Sequence, residues 1–199
     1  MSWHSFTFAS TVTPSRLAST ADARALLEAP EETAGKVYSY SRNGVLLWTL
    51  RKILAGSELA RGLYLLEDQA VLTGDELRRQ HALIAALQEE ILRDPQCVLE
   101  ATKVRHEPQE VPYADGEPLP YELAYPSNCV VEDGWVYYYT KDDVRSLAAS
   151  APCGSDPKPP YDFEGESLEY LFGFLKSHAS LLESAIGRGA AVAYAEMNR

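Results

Sequence analysis

Carboxylates are the most abundant potentially catalytic side chains in this chain, and three close pairs of them stand out. Residues 31–32 and 142–143 are adjacent acids, and Glu164 lies two residues before Glu166. Two carboxylates can hydrolyse a substrate when a cleft holds them roughly 5–10 Å apart. Acids at 142–143 also suit the first turn of a helix, where the backbone dipole favours negative charge. The pairs therefore leave a small hydrolase as one alternative, without defining an active site.

The histidines and cysteines show no spacing typical of a metal or nucleophile site. His81 and His178 fall at or near the buried stripes of predicted helices, where we expect them to pack as ordinary core or boundary residues. The three cysteines form no Cys-x-x-Cys pair, which favours reduced thiols in the cytoplasm (Cys97, Cys129 and Cys153). Glycine-rich nucleotide loops, a nucleophile elbow and a His-Glu-x-x-His motif do not occur. We therefore predict a protein that is not an enzyme and holds no cofactor and no metal.

The negative charge is concentrated in one third of the chain. The whole chain has 18 Lys/Arg and 29 Asp/Glu residues, and residues 106–170 hold 3 and 14 of them, a net charge of −11. The same third contains 9 of the 12 prolines and 8 of the 12 tyrosines. Tyrosine gives binding loops a large contact area at low entropic cost, and proline lowers the cost of ordering an extended segment. The pattern indicates a surface for a positively charged partner, with a solvated acidic loop as the alternative.

Twelve residues are predicted to form this partner-binding surface. They lie in the acidic loop 106–128 and in the hairpin that follows it. Their acids would meet Lys and Arg side chains of a partner, and their aromatic rings would anchor the contact. In chain order they are Glu107, Glu110, Tyr113, Asp115, Glu117, Tyr121, Glu122, Tyr125, Glu132, Asp133, Trp135 and Tyr138.

Periodicity and capping residues predict the elements that hold this surface. Alternation predicts strands at 4–9, 37–40, 97–105 and 190–197, and a hairpin that turns at Asp133 and Gly134. Apolar spacing predicts helices over 20–29, 43–56, 57–70, 73–93, 140–149 and 167–186. Thr20, Thr73 and Thr140 are their predicted N-caps, with a capping box at Thr73. We predict an α+β or α/β fold, with several amphipathic helices on a small sheet of short strands. One compact domain spans 1–199, with acidic or proline-rich loops at 106–128 and 150–166.

Three segments resemble a small bacterial family, the YfbM-like proteins. One is the helix Leu47-Trp-Thr-Leu-Arg-Lys-Ile-Leu-Ala-Gly56. The second is Tyr139-Thr-Lys-Asp-Asp-Val144, an aromatic strand that runs into a capped helix. The third is the final helix with Gly189 and the strand around Val192 and Tyr194. The resemblance implies an α/β architecture and carries over no active site.

These features together predict a cytoplasmic bacterial immunity protein, which binds a cognate protein toxin with a basic surface and occludes it. The step from an acidic chain without catalytic motifs to an immunity role is an analogy with other small inhibitors. A hydrolase that uses paired carboxylates of the acidic third, residues 106–170, and a regulatory adaptor that binds another protein remain alternatives. The acidic balance argues against nucleic acid. The lack of an apolar run of about 20 residues and of a signal peptide argues against a membrane. The apolar helices offer a face for a homodimer.

Overall fold

The computed structural model describes residues 5–28, 36–40, 50–63, 70–105, 129–153 and 168–198. Within these ranges the chain has an α+β fold. Its strands are β1 (Ser5–Val12), β2 (Lys36–Tyr40), β3 (Ala70–Leu72), β4 (Val104–Arg105), β5 (Val130–Glu132), β6 (Trp135–Tyr137) and β7 (Ala191–Asn198). They form two antiparallel sheets, one in the order β2-β1-β7-β3 and a smaller one in the order β4-β6-β5.

Six helices flank the sheets in the described part of the chain. They are α1 (Pro14–Ser19), α2 (Ala23–Glu28), α3 (Gly74–Arg93), α4 (Gln96–Thr102), α5 (Lys141–Ser150) and α6 (Leu168–Arg188). A helical turn also occupies residues 50–53, and a 3-10 helix spans Glu58–Leu63. None of the described helices is both long and apolar enough to cross a membrane.

Strand β7 lies in the interior of the larger sheet and separates two apolar layers. It pairs with β1 along eight residues and with β3 on its other side. Since successive side chains of a strand point to opposite faces, Val192 and Tyr194 pack on the face that carries α3 and α6. The opposite face is lined by small residues, Ala191, Ala193 and Ala195, and α2 packs there through Leu26 and its neighbours. Helices therefore cover both faces of the larger sheet.

Helix α6 is the central helix of the apolar layer on the Val192 and Tyr194 face of β7. It contacts α3, α5 and the strands β1, β2 and β7, and its side chains are buried around most of the circumference between residues 171 and 178. A helix that is apolar on all sides belongs in a core. The prediction of a final helix over 167–186 and of a closing strand is confirmed.

Gly189 ends α6. Its φ of 62° lies in the left-handed region that glycine adopts without strain. The N–H of Ala190 donates to the carbonyl of Ala185 at 2.9 Å, and the N–H of Gly189 donates to that of Ile186 at 3.2 Å. This pair of hydrogen bonds is the Schellman motif, which satisfies the last carbonyls of the helix and turns the chain into β7.

The strand predicted at 97–105 is wrong. Residues 96–102 form α4, and only the two-residue strand β4 follows. The Asp94 carboxylate accepts the N–H of Gln96 at 3.2 Å, and Gln96 Nε2 donates to Glu100 Oε1 one turn later at 3.0 Å. Local capping and a side-chain pair four residues apart favour the helix, and these outweigh a weak alternation of apolar residues.

The helix predicted over 57–70 is also wrong. The described part is the 3-10 helix, and β3 begins at Ala70. Gly62 lies against α3, where an added Cβ would sit 3.0 Å from Leu87 Cδ2. Gly62 is thus the point where this turn packs closely on its neighbour.

Helix α2 begins later than predicted, and a short helix precedes it. Asp22, not Thr20, is the capping residue, because its carboxylate accepts the N–H of Ala25 at 3.0 Å. Thr20 Oγ1 instead accepts the N–H of Asp22 at 3.1 Å. Helix α1 was not predicted, although Pro14 in its first turn suits a helix start.

The two threonine caps at Thr73 and Thr140 differ in a way that a mutation can measure. Thr140 Oγ1 accepts the N–H of Asp143 at 3.1 Å, and the Thr140 N–H donates to Asp143 Oδ2 at 2.7 Å. Thr73 is the N-cap of α3 but its side chain makes no capping bond, so the capping box predicted there does not form. We expect Thr140→Ala to lower the free energy of unfolding by about 1 kcal/mol.

Thr73→Ala is the matched control for that substitution and is expected to change stability far less. Urea unfolding of both variants at neutral pH measures the difference. Equal losses at the two positions would contradict the assignment of a formed box at Thr140 alone.

Several predicted segments lie outside the described residues. These are the acidic loop 106–128, residues 154–166 of the second loop and residues 43–49 of the helix that ends at Gly56. The single domain over residues 1–199 therefore stays a prediction. The end of the 43–56 helix is described, and Gly56 has the positive φ, 95°, of a terminating glycine.

Candidate functional site

Four of the twelve predicted partner-binding residues are described, and all four belong to the β5–β6 hairpin or follow it directly. Glu132 and Asp133 are exposed, whereas Trp135 and Tyr138 are half-buried. The other eight lie outside the described residues: Glu107, Glu110, Tyr113, Asp115, Glu117, Tyr121, Glu122 and Tyr125. The candidate site among the described residues therefore consists of the hairpin and the residues that contact it.

The turn of the hairpin has the geometry that the Asp-Gly pair predicted. Asp133 and Gly134 have φ values of 50° and 75°, and the register places Glu132 opposite Trp135. Two successive positive φ values in a two-residue loop define a type I′ turn, whose twist matches that of the paired strands. The turn therefore holds the Glu132 and Asp133 carboxylates at a defined tip.

Strand β5 is exposed along its whole length. Val130 is 47% exposed and Val131 is 37% exposed, and Glu132 beside them is exposed too. Among the described strands β5 pairs only with β6, so it forms one edge of the smaller sheet. We call Val130, Val131, Glu132 and Asp133 the β5 surface. It combines two exposed valines, one on each face of the strand, with two acids. No motif in the sequence singled out the valines.

The ring of Trp135 is occupied by cations of its own chain. Lys103 Nζ lies 4.5 Å from the ring centroid, and Arg105 Cζ lies 5.4 Å from it. Cations at this distance are attracted by the negative face of an indole. The ring that was predicted to anchor a partner thus already contacts Lys103 and Arg105, which fix the hairpin beside α4 and β4.

Helix α4 supplies the rest of this cluster. Glu100 Oε2 pairs with Lys103 Nζ at 2.5 Å and also accepts from Gln96 through its other oxygen. The hydrogen bond from Lys103 lowers the pKa of Glu100, and the same contact raises the pKa of Lys103. Sequence reasoning missed these residues because it read them as a strand. Gln96 and Glu100 are four residues apart, and Glu100 and Lys103 are three apart. This spacing is typical of side-chain pairs on a helix and is the signal that could have identified them.

The acid pair at 142–143 serves the start of α5. Asp142 Oδ1 accepts from Arg145 at 3.1 Å, and Asp143 closes the capping box with Thr140. Hydrogen bonds from the backbone and side chain of Thr140 lower the pKa of Asp143. The other two predicted pairs lie outside the described residues. In the ranges that are described, no group of three His, Cys, Asp or Glu side chains is placed to hold a metal ion.

His178 is a fully buried histidine, as the helical stripe predicted. Its Nε2 lies 2.9 Å from the hydroxyl of Tyr194 on β7, and the Tyr194 ring stands edge-on to it at 5.7 Å. Burial lowers the pKa of His178 from 6.5 to about 3 and raises the pKa of Tyr194 well above its ordinary value. The imidazole is therefore neutral in the folded protein at physiological pH.

All three cysteines are unpaired. Cys97 is half-buried, and burial raises the pKa of its thiol; desolvation also raises the pKa of Cys129. Because the thiolate is the nucleophile, thiols with raised pKa values are poorly suited to covalent catalysis. The charges of the described residues that act on Cys97 are the carboxylates of Asp94 and Glu90, which raise the pKa of its thiol further.

Comparison of the chain with protein-family models, with curated proteins and with solved structures gave no match. The resemblance to the YfbM-like family therefore stays a prediction.

Proposed function

We propose that this chain is a binding protein of the immunity type, which occludes a cognate protein toxin by contacting a basic surface on it. The observation that carries the proposal is the β5 surface, where two exposed acids lie beside two exposed valines. The net charge of −11 over residues 106–170, in which the hairpin lies, supports it. A concentrated field of one sign attracts a partner of the opposite sign over several ångströms.

The two kinds of side chain in the β5 surface would have different roles in the complex. Val130 and Val131, one on each face of β5, would lose contact with water and supply the apolar part of the contact. Glu132 and Asp133 would lie at the rim, where charges mainly speed association and select the partner. Asp142 and Asp143 are engaged at the start of α5 and have no part in this scheme.

We place this action in the cytoplasm. Three unpaired cysteines are compatible with a reducing compartment, where thiols are kept from forming disulfides. An inhibitor located there meets a toxin that is made in, or delivered into, the same cell. The immunity role itself is an analogy from charge and the lack of catalytic motifs.

Charge reversal in the β5 surface is expected to slow binding strongly. We take the product of the adjacent gene as the candidate toxin. In the double variant Glu132→Lys and Asp133→Lys, its association rate with this chain should fall by about tenfold or more at low salt. The difference in association rate between parent and variant should be smaller in 0.5 M salt. Salt screens the charges, so electrostatic attraction contributes little to the rate of either protein. Surface plasmon resonance over a range of salt concentrations measures both effects.

The matched control changes the net charge by the same amount elsewhere. Glu76 and Glu183 are exposed on α3 and α6, and their replacement by lysine should alter the rate far less. Equal effects of the two double variants would contradict a role for the β5 surface. Co-expression without any complex at low salt would count against the proposed function as a whole.

A further inference from the structure

We propose that the partner binds by strand addition, in which an extended segment carrying Lys or Arg pairs with the outer edge of β5 and enlarges the smaller sheet. The inference rests on the proposed function and specifies how the β5 surface would be used. It depends on which backbone groups of β5 face outward, on how the edge is protected, and on the charge around it.

The register of the hairpin determines which backbone groups face outward. Glu132 and Trp135 flank the two-residue turn, and Val131 lies opposite Val136. In such a hairpin the flanking pair exchanges both of its hydrogen bonds, and the next pair points its N–H and C=O groups away from each other. Val136 accordingly turns toward β4, where it pairs with Val104. The N–H and C=O of Val131 therefore point to the open edge of β5.

Among the described residues this edge carries no lysine, no proline and no bulge, although β5 is only three residues long and ends in Glu132. Edge strands are commonly blocked by lysine, proline, a bulge or an inward-facing charge. β5 instead presents two adjacent β-branched residues, Val130 and Val131, both of which favour extended structure. No other described strand lies on that side. An outward donor and acceptor with valines beside them are the features that strand addition uses.

Charge selects a basic segment as the occupant. Glu132 and Asp133 are exposed at one end of β5, and residues 106–128, which precede the hairpin, contain five acids and no Lys or Arg. Lys or Arg side chains on an added strand would lie close to Glu132 and Asp133 and gain from the pairing. The exposed charges of β5 in a second copy of this chain are also negative, so a second copy would gain no such pairing.

Proline at position 131 tests the inference, because it removes the outward N–H. That N–H takes no part in the ladder between β5 and β6, so Val131→Pro should keep the hairpin, as edge positions tolerate proline. We expect its affinity for the adjacent gene's product to fall about tenfold or more. Val131→Thr keeps the N–H and the branched side chain and should stay within about threefold of the parent. Calorimetric titration measures the affinities of both variants.

Amide hydrogen exchange at Val131 provides a second readout, which decides the question if the proline variant fails to fold. The Val131 amide should exchange quickly in the free protein and become protected in the complex. A complex that forms at full affinity with Val131→Pro, or that leaves the Val131 amide unprotected, would overturn strand addition and leave the proposed function standing. Failure of the parent chain to form any complex would remove both.

The same measurements distinguish other occupants of the edge. If the Val131 amide were protected without the partner, and Val131→Pro converted a dimer into a monomer, a second copy would occupy the edge. Protection in a monomer would indicate a segment of this chain. Either result would overturn the proposal of a basic partner strand.

Discussion

Lowering the pH from 7 to 5 is expected to reduce the free energy of unfolding by about 2 kcal/mol through His178 alone. Burial lowers the pKa of this histidine from 6.5 to about 3 in the folded protein. In the unfolded chain the ordinary value returns, so between about pH 6.5 and pH 3 the unfolded state binds a proton that the folded state does not. The stability from His178 is therefore complete above pH 6.5 and is lost as the pH falls.

The described residues around His178 do not compensate for a second proton on its imidazole. Nε2 already lies beside the Tyr194 hydroxyl, and Nδ1 is buried without a hydrogen-bond partner among the described residues. Desolvation lowers the pKa of His178, and no carboxylate of the described residues opposes it. An imidazolium here would place an unpaired charge in the core, which is among the costliest changes that a fold can suffer.

Urea unfolding of the parent and of His178→Gln at pH 7, 6 and 5 isolates this contribution. Glutamine keeps a hydrogen-bonding group near Tyr194 but does not titrate. The pKa values of Asp143 and Glu100 are also lowered, so the stability that they contribute to the fold decreases in acid. This decrease is the same in both proteins and cancels in the comparison. The variant should show the flatter dependence on pH. Identical slopes for the two proteins would refute the assignment to His178.

Removing the side chain of Tyr194 is expected to cost about 3–5 kcal/mol of unfolding free energy. Tyr194 is one of the largest fully buried side chains, and it lies on β7 between the sheet and α6. Tyr194→Ala would leave a cavity and would also deprive His178 Nε2 of its hydrogen bond. For a chain of this size, each kcal/mol lowers the melting temperature by roughly 2–4 °C.

Tyr194→Phe separates the two parts of this loss. It keeps the ring and removes only the hydroxyl, so the expected cost is about 1–3 kcal/mol for a buried imidazole nitrogen left unpaired. Thermal and urea unfolding of both variants gives the two values. A phenylalanine variant as unstable as the alanine variant would show that the hydrogen bond, and not the packing of the ring, dominates.

The elements that could be predicted are those whose causes are local. Asp133 and Gly134 define their turn by backbone preference, Thr140 and Asp143 start α5 by reciprocal capping, and Gly189 ends α6. Each of these needs only residues within a few positions of one another. At the start of α4 the alternation of apolar residues predicted a strand, whereas the hydrogen bonds of Gln96 favour a helix. The helix is the structure that forms, so the prediction from alternation was wrong there.

The contacts that could not be predicted join residues far apart in the chain. Lys103 and Trp135 meet only because β4 pairs with β6, and His178 meets Tyr194 only because α6 packs across the sheet. Sequence showed His178 as a packed residue but not its partner. Of the predicted binding surface, the acids of the hairpin tip are exposed as expected. Trp135 instead contacts cations of its own chain.

The position of β7 has a consequence for how the nascent chain folds on the ribosome. β1 and β3 do not pair with each other, and each waits for residues 191–198 to be translated. At ordinary elongation rates of about 5–20 residues per second, β1 emerges roughly 10–40 s before its main partner. Of the described strands of the larger sheet, only β1 and β2 can pair during that interval, and an isolated two-stranded pair is marginally stable. The sheet is thus completed late, and the apolar faces of the early strands are open to chaperones until translation reaches β7.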